Sequence, residues 1–272
     1  MHLAEGMLPL HQAVGWTALA VPALVWSLRG EQLVRRDSAL PQVLMAGATS
    51  LLFAATLLPI PVPVVGATSH VCLTPVLGLV VGVRRIIWPT FFVLLLQAVF
   101  FAHGGLTTLG VNMLTLGLLG PVVTAGLWHL FRHIGAGNML GLGVACGAGG
   151  LSVYVADALV LAAALSDVVD PATTFKGILV GFAPVQIPLS VLESVASVGL
   201  VRVLTTRKPG LMPDNLKAVR VIPRVASSAL ILLLAVGLSG CGYEGIDGTV
   251  FGAVAEASGR PPTDSILDLS QG

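Results

Sequence analysis

The first six residues of the chain, Met1 to Gly6, carry nitrogen donors at a spacing that could chelate a metal ion. Because His2 is too large to allow removal of the preceding methionine, we expect Met1 to remain with a free α-amine. That amine, the main-chain nitrogen of His2 and its nearer ring nitrogen can close fused small chelate rings around one metal. A fourth nitrogen would complete a square plane, which suits Ni²⁺ and Cu²⁺. Binding would release protons, so we expect affinity to fall at low pH.

The fourth nitrogen must come from a distant part of the chain, and His70 is the best candidate for it. His70 ends a polar stretch, residues 66–70, between two apolar stretches. Ionisable residues in or near the membrane are functional candidates by default. His103, in the Ala102–Gly105 sequence, is interpreted as a second-choice ligand or as part of the path by which the ion enters.

Several other polar residues could support such a site, and each has a structural alternative. Glu5 could orient His2 or could be a solvated charge near the chain end. Ser69, next to His70, could be a supporting residue, and Asn112 could line the ion path or cap a broken helix. Asp157 and Glu193 lie within apolar stretches, where they could relay protons or ions or form internal structural hydrogen bonds.

The elements that position these residues are predicted to be membrane-spanning helices. The chain has 272 residues, of which 55% are hydrophobic and 10% are charged, and its mean hydropathy is +0.93. Soluble domains contain about a quarter charged residues, so the apolar surplus predicts burial in lipid. Stretches of roughly 20 apolar residues can span a bilayer, and seven occur at 8–28, 39–60, 86–103, 111–131, 138–165, 177–204 and 222–240.

The predicted fold is therefore an all-α polytopic bundle with seven or eight transmembrane helices. A shorter segment near 70–83 is either an eighth span or a re-entrant piece. The distribution of Lys and Arg predicts an N-terminus outside the cell and places Met1 and His70 on the same side. The first Arg is Arg29, so no cleavable signal peptide is expected. Four regions follow: a core (1–205), a cytoplasmic linker (206–221), an additional helix (222–240) and an acidic extracytoplasmic tail (241–272).

Specific motifs resemble those of the CbiM/NikM family, the substrate-binding membrane components of energy-coupling factor transporters for cobalt and nickel. The opening sequence Met1–Pro9 is similar to the N-terminal signature of that family. The resemblance extends over roughly residues 1–205. Its other motifs are Ala67-Thr68-Ser69-His70, the Gly-rich stretch His103–Asn112, Gly120-Pro121, and Gln186-Ile187-Pro188-Leu189 with Glu193.

The resemblance implies that the metal is held by the Met1 amine, the main-chain and ring nitrogens of His2, and the His70 ring. The substrate would be Ni²⁺ or Co²⁺, carried across a bacterial inner membrane. The chain has no Gly-x-x-x-x-Gly-Lys-Ser/Thr phosphate loop, so it is not expected to be an ATPase. The implied partners are a transmembrane coupling (T) protein and two ATPase subunits, with no nucleic acid. Residues 206–272 are interpreted as a fused equivalent of a small N-type membrane subunit.

Two other classes of protein are compatible with a membrane metal site. One is a membrane metal sensor or structural subunit without transport. The other is an intramembrane metalloenzyme with Glu5 as its general base. A hydrolytic site needs an open metal position, which a four-nitrogen square plane does not offer, and no His-Glu-x-x-His motif occurs in the chain.

Overall fold

The computed structural model describes residues 3–34, 40–58, 60–62, 67–101, 103–166, 170–217 and 219. The described part is helical apart from one small hairpin, which confirms the all-α class predicted from the sequence. Its elements are α1 (Leu10–Val34), α2 (Leu40–Thr56), β1 (Ile60–Val62), β2 (Ala67–Ser69), α3 (Thr74–Val81), α4 (Val83–Phe101), α5 (Leu109–Asn112), a π-helical segment (Met113–Leu119), α6 (Gly120–His133), α7 (Met139–Ala164), α8 (Pro171–Arg207), a 3-10 turn (Pro209–Leu211) and α9 (Asp214–Lys217).

Four of the described helical stretches are long and apolar enough to cross a membrane, which identifies the chain as a membrane protein. They are Val83–Phe101, Leu109–His133, Met139–Ala164 and Pro171–Arg207. Each overlaps a span predicted from the sequence. The number of crossings and the outward N-terminus stay predictions, and the predicted helix 222–240 and tail 241–272 lie outside the described residues.

The predicted span 39–60 is wrong at its C-terminal end. The helix ends at Thr56, and residues Ile60–Val62 instead pair antiparallel with Ala67–Ser69, with Ile60 opposite Ser69. Pro61 has no main-chain N–H to continue a helix, and the β-branched residues around it favour an extended chain. The hairpin brings the chain to His70 in an extended conformation.

Helix α3 forms much of the predicted segment 70–83 and lies at the centre of the bundle. All eight of its residues are buried, and it packs against α6, α4 and α7. At 1.5 Å per residue it is about 12 Å long, which is less than the roughly 30 Å thickness of the hydrocarbon layer. It therefore does not span a membrane by itself. Gly82, at φ 101°, ends it and lets α4 begin at Val83.

Helices α7 and α8 form the most extensive helix pair in the described bundle. Asp170 caps α8 by accepting a hydrogen bond from the Thr173 N–H at 2.8 Å, and this bond lowers the pKa of Asp170. The glycine-rich face of α7 admits serines of α8, and Ser190 donates to the Gly147 carbonyl at 2.9 Å. Small residues let membrane helices approach closely, so α8 packs closely along α7.

Candidate metal site

The N-terminal segment enters the bundle and is fixed there by its main chain. The Leu3 N–H donates to Asn112 Oδ1 at 2.8 Å, and Asn112 Nδ2 donates to the Leu3 carbonyl at 2.9 Å. Both residues are almost fully buried. A buried main chain outside regular structure needs such partners, and one amide side chain supplies both. Asn112, offered above as an ion-path or capping residue, therefore holds the N-terminal segment.

Thr108 reinforces this contact from one helical turn before Asn112. Its hydroxyl donates to the Leu3 carbonyl at 2.8 Å, and Asn112 Nδ2 donates to Thr108 Oγ1 at 3.1 Å. Residues four apart share a helix face, so Thr108, at the N-cap of α5, and Asn112, within α5, both face Leu3. A π-helical segment begins directly after Asn112, and irregular helical turns of this kind occur frequently at functional sites.

The Glu5 side chain joins the N-terminal segment to the loop that follows His103. Glu5 Oε1 accepts a hydrogen bond from the Thr107 hydroxyl at 2.6 Å, and Oε2 accepts one from the Thr107 N–H at 3.2 Å. The Thr107 hydroxyl is the main cause of a lowered pKa for Glu5. The Glu5 N–H also donates to the Gly104 carbonyl at 3.1 Å. Glu5 is thus a docking residue of the segment, and its predicted role in orienting His2 stays a prediction.

Gly105 permits the close approach of these two segments. A Cβ at Gly105 would lie 2.6 Å from the Cα of Glu5, which is too close for any side chain. Gly104 has φ +83°, a conformation that only glycine adopts without strain. The paired glycines that carried part of the family resemblance are therefore needed for the N-terminal segment to lie against this loop.

His70 and His103 are brought together in the structure. Their ring centroids lie 5.7 Å apart at an interplanar angle of 61°, and His70 is 2% exposed. His70 follows directly after strand β2, whereas His103 follows the end of α4. The main-chain N–H of His103 donates to the Gln97 carbonyl at 3.1 Å. The sequence analysis offered His70 as a ligand and His103 as a second-choice ligand or entry-path residue, and the structure makes the two rings neighbours.

Met1 and His2, the other predicted ligands, lie outside the described residues. Within the described ranges, no group of three or more His, Cys, Asp or Glu side chains could hold a metal ion. The described part of the chain therefore contributes the two imidazoles and the anchorage of the segment that begins at Leu3. Metal ligation by Met1, His2 and His70 stays a prediction.

Gln186 is a buried supporting residue to which the sequence analysis assigned no role. Its Nε2 donates to the Ser69 hydroxyl at 2.7 Å, and both side chains are buried. This bond fixes the residue that precedes His70 to helix α8. Ser69 is thus tied to α8, and its role as a supporting residue of a metal site stays a prediction.

Glu193 stabilises the same loop from about two helical turns further along α8. Its Oε1 accepts a hydrogen bond from the Leu73 N–H at 2.8 Å, and Glu193 is 3% exposed. Leu73 has φ 54°, a strained conformation for a leucine. Such residues persist where surrounding structure holds them. Of the two alternatives for Glu193, the observed bond corresponds to the structural one.

The described architecture matches that of solved membrane transporters. Two crystal structures of transition-metal transporters, one of them truncated, superpose with TM-scores of 0.66 and cover 76% of this chain. The matches cover 99% of the truncated chain and 93% of the other, at 20% identity in both cases, which establishes a shared fold. The chain is therefore a polytopic membrane helix bundle with the fold of these transporters.

The family follows from the sequence itself. Residues 2–211 match the model of the CbiM family, described as the cobalt uptake substrate-specific transmembrane region, and the chain belongs to this family. The cobalt transport protein CbiM of Sorangium cellulosum is 35% identical over 224 residues, covering 82% of this chain and 99% of that protein. CbiM of Geobacter sulfurreducens is 30% identical over an alignment covering 100% of this chain and 82% of that protein. The family resemblance found in the sequence is confirmed.

Proposed function

We propose that this chain is the substrate-specific membrane subunit of an energy-coupling factor importer for Co²⁺ or Ni²⁺. The ion is bound outside the cell by the Met1 amine, the main-chain and ring nitrogens of His2, and the ring of His70. The family membership and the names of the related cobalt transport proteins support the substrate class.

The observation that best supports the chelate is the anchorage of Leu3 by Asn112. Met1 and His2 lie within two positions of Leu3 in the chain, and an extended chain covers at most about 3.6 Å per residue. Fixing Leu3 therefore restricts the amine and the His2 nitrogens to a small volume before any metal arrives. Preorganised ligands bind more tightly because less conformational freedom is lost on binding.

The second support is the position of the histidine pair relative to the anchored segment. Glu5 hydrogen-bonds to Gly104, the residue that follows His103, and the His103 ring lies against the ring of His70. The N-terminal segment thus passes beside the imidazole pair. His70 is the fourth nitrogen in this proposal, and His103 shapes the approach to it.

The donor set limits the choice of metal without fixing it. Square-planar nitrogen ligands favour Ni²⁺, and low-spin Co²⁺ also accepts such a field. Cobalt is supported by the names of the related proteins, which are cobalt transport proteins. We propose a site that binds both ions and expect their relative affinities to depend on how strictly the anchored segment enforces planarity.

Energy for transport is proposed to come from partner subunits in a bacterial inner membrane. A coupling (T) protein and two ATPase subunits would reshape the bundle and release the ion on the cytoplasmic side. Residues 206–272 are proposed to serve as the fused equivalent of a small accessory membrane subunit. The Geobacter relative aligns with the whole of this chain, including that region.

The test is metal binding by purified protein with its authentic Met1 start. Mass spectrometry and visible absorption should show one Ni²⁺ or Co²⁺ with a square-planar ligand field. A single residue added before Met1 removes the amine from its position and should abolish tight binding, as should His2→Ala. His11→Ala, which alters an exposed histidine near the same terminus, is the matched control and should bind normally. Retained affinity after the extension would rule out the proposed chelate.

A further inference from the structure

Asp157 is the only charged residue of helix α7. Its side chain is 0% exposed, and within the described part of the chain neither carboxylate oxygen has a hydrogen-bond partner. The Thr115 side chain faces the carboxylate, but its hydroxyl donates to the Asn112 carbonyl in a long bond of 3.4 Å. A buried carboxylate is costly unless it has a partner. Asp157 is therefore a buried acid that could accommodate a positive charge.

The neighbours of Asp157 along α7 show where that charge would lie. Val153, one turn before it, shares an apolar cluster with Cys72, two residues after His70. Val160, nearly one turn after it, shares a cluster with Leu3. Residues at this spacing lie on one helix face. Asp157 is thus bracketed by the His70 loop on one side and by the anchored N-terminal segment on the other.

Glu193 is the other buried carboxylate near this region. Glu193 differs from Asp157 because it accepts the Leu73 N–H and so stabilises the loop. Asp157 has no comparable structural bond among the described residues. Of the two buried acids, it is therefore the one available to a cation.

We propose that Asp157 is a positioning residue that supplies the counter-charge to the bound metal complex without ligating the metal. The inference rests on the proposed function. A divalent ion bound through one deprotonated main-chain nitrogen keeps one positive charge, and a single carboxylate neutralises it. Neutralisation stabilises the complex, because an uncompensated charge inside a membrane protein has a high free-energy cost. Nearby groups that do not contact the metal can change its affinity about 10–100-fold.

If Asp157 has this role, removing its charge should weaken metal binding but should not destabilise the metal-free protein. In the metal-free protein, burial of the unpaired carboxylate is destabilising. Asp157→Asn should therefore leave the melting temperature of the metal-free protein unchanged or raise it. With metal, the same variant lacks the counter-charge and should bind about 10–100-fold more weakly. The ligand-field absorption should keep its wavelengths, because the inner ligands are unchanged.

The experiment measures Ni²⁺ and Co²⁺ affinity, visible absorption and metal-free melting temperature for the full chain with its authentic Met1. Asp157→Asn is compared with Asp157→Glu, which keeps the charge and should retain more of the affinity. Asp170→Asn is the matched control, because it makes the same substitution at an exposed helix cap. The control should bind both metals like the wild type.

The outcomes separate this inference from the function on which it rests. Wild-type affinity in Asp157→Asn, with binding lost in His70→Ala, would overturn the counter-charge and leave the chelate intact. Failure of Asp157→Asn to fold, or a lowered metal-free melting temperature, would show that the carboxylate is structural and would also overturn the inference. Altered ligand-field wavelengths would assign it as a direct ligand instead. Normal binding by His70→Ala would refute the proposed function itself.

Discussion

Leu3 and Asn112 are joined by two reciprocal hydrogen bonds, from the Leu3 N–H to Oδ1 at 2.8 Å and from Nδ2 to the Leu3 carbonyl at 2.9 Å. The asparagine amide pairs with the Leu3 N–H and carbonyl in the way that the main chain of a neighbouring strand would in a sheet. Because Leu3 is 1% exposed, water does not compete for these bonds. The main chain of Leu3 is therefore satisfied on both its N–H and its carbonyl by one side chain.

Replacing Asn112 with Asp should weaken metal binding about 10–100-fold, the range typical of groups that support metal ligands. Aspartate keeps an acceptor for the Leu3 N–H, but its ionised side chain cannot donate to the Leu3 carbonyl. The N-terminal segment would lose part of its anchorage, and its donors would be less well preorganised. Isothermal titration with Ni²⁺ and with Co²⁺ measures the effect.

Asn138→Asp is the control for this substitution. Asn138 Oδ1 caps α7 by accepting the Gly141 N–H at 3.0 Å, and aspartate caps a helix equally well. This variant should bind metal normally. Equal affinity of Asn112→Asp and the wild type would show that the Leu3 anchorage does not contribute to the site.

The Glu5–Thr107 contact predicts a pH dependence for docking of the N-terminal segment. Hydrogen bonds from Thr107 stabilise the ionised carboxylate and lower the pKa of Glu5. Docking should be strongest above the ordinary pKa of a glutamate and should weaken as the pH falls through the lowered value. Thr107→Val should raise the pKa of Glu5 toward its ordinary range, whereas Thr107→Ser should preserve it. Titration of ¹³C-labelled glutamate by NMR measures the pKa, and equal values in wild type and Thr107→Val would contradict the assignment.

The long helices were predictable because their signal is local. Apolar stretches near the length of a bilayer predicted α4 and α7 within three residues at each end and α8 within six, because few charged residues interrupt them. The hairpin gave no comparable signal, because a three-residue strand with Pro61 at its centre has no detectable alternation. Its pairing depends on the bundle around it.

The polar contacts of the site were only partly predictable for a different reason. His70, His103 and Asn112 were identifiable as polar residues in an apolar chain. Gln186 was equally visible, but its partner Ser69 lies 117 residues away. Leu73 at φ 54° was not foreseeable, because a leucine carries no sequence signal for a left-handed conformation. Both features arise where the loop around His70 meets helix α8.

The Ser69–Gln186 bond should contribute measurably to stability. Gln186→Met keeps the length of the side chain but leaves the buried Ser69 hydroxyl without its donor, which should cost about 1–3 kcal/mol in the free energy of unfolding. The double variant Ser69→Ala, Gln186→Met should recover part of that loss, because no unsatisfied polar group remains. Denaturant titration in detergent measures both. Strictly additive losses would show that the bond is not the origin of the effect.

The chain just after α8 should be needed by the bundle, although the sequence assigned it to a linker beginning at residue 206. Leu216 is fully buried and Met212 nearly so, and the Trp128 indole N–H donates to the Asn215 carbonyl at 3.3 Å. Deleting residues 206–272 removes these contacts and should lower the melting temperature, whereas deleting 222–272 leaves them in place. If the shorter deletion keeps both its melting temperature and full metal uptake with partner subunits, the proposed accessory role of the C-terminal region is refuted. If it remains stable but loses uptake, that region acts in transport and not in folding of the metal-binding bundle.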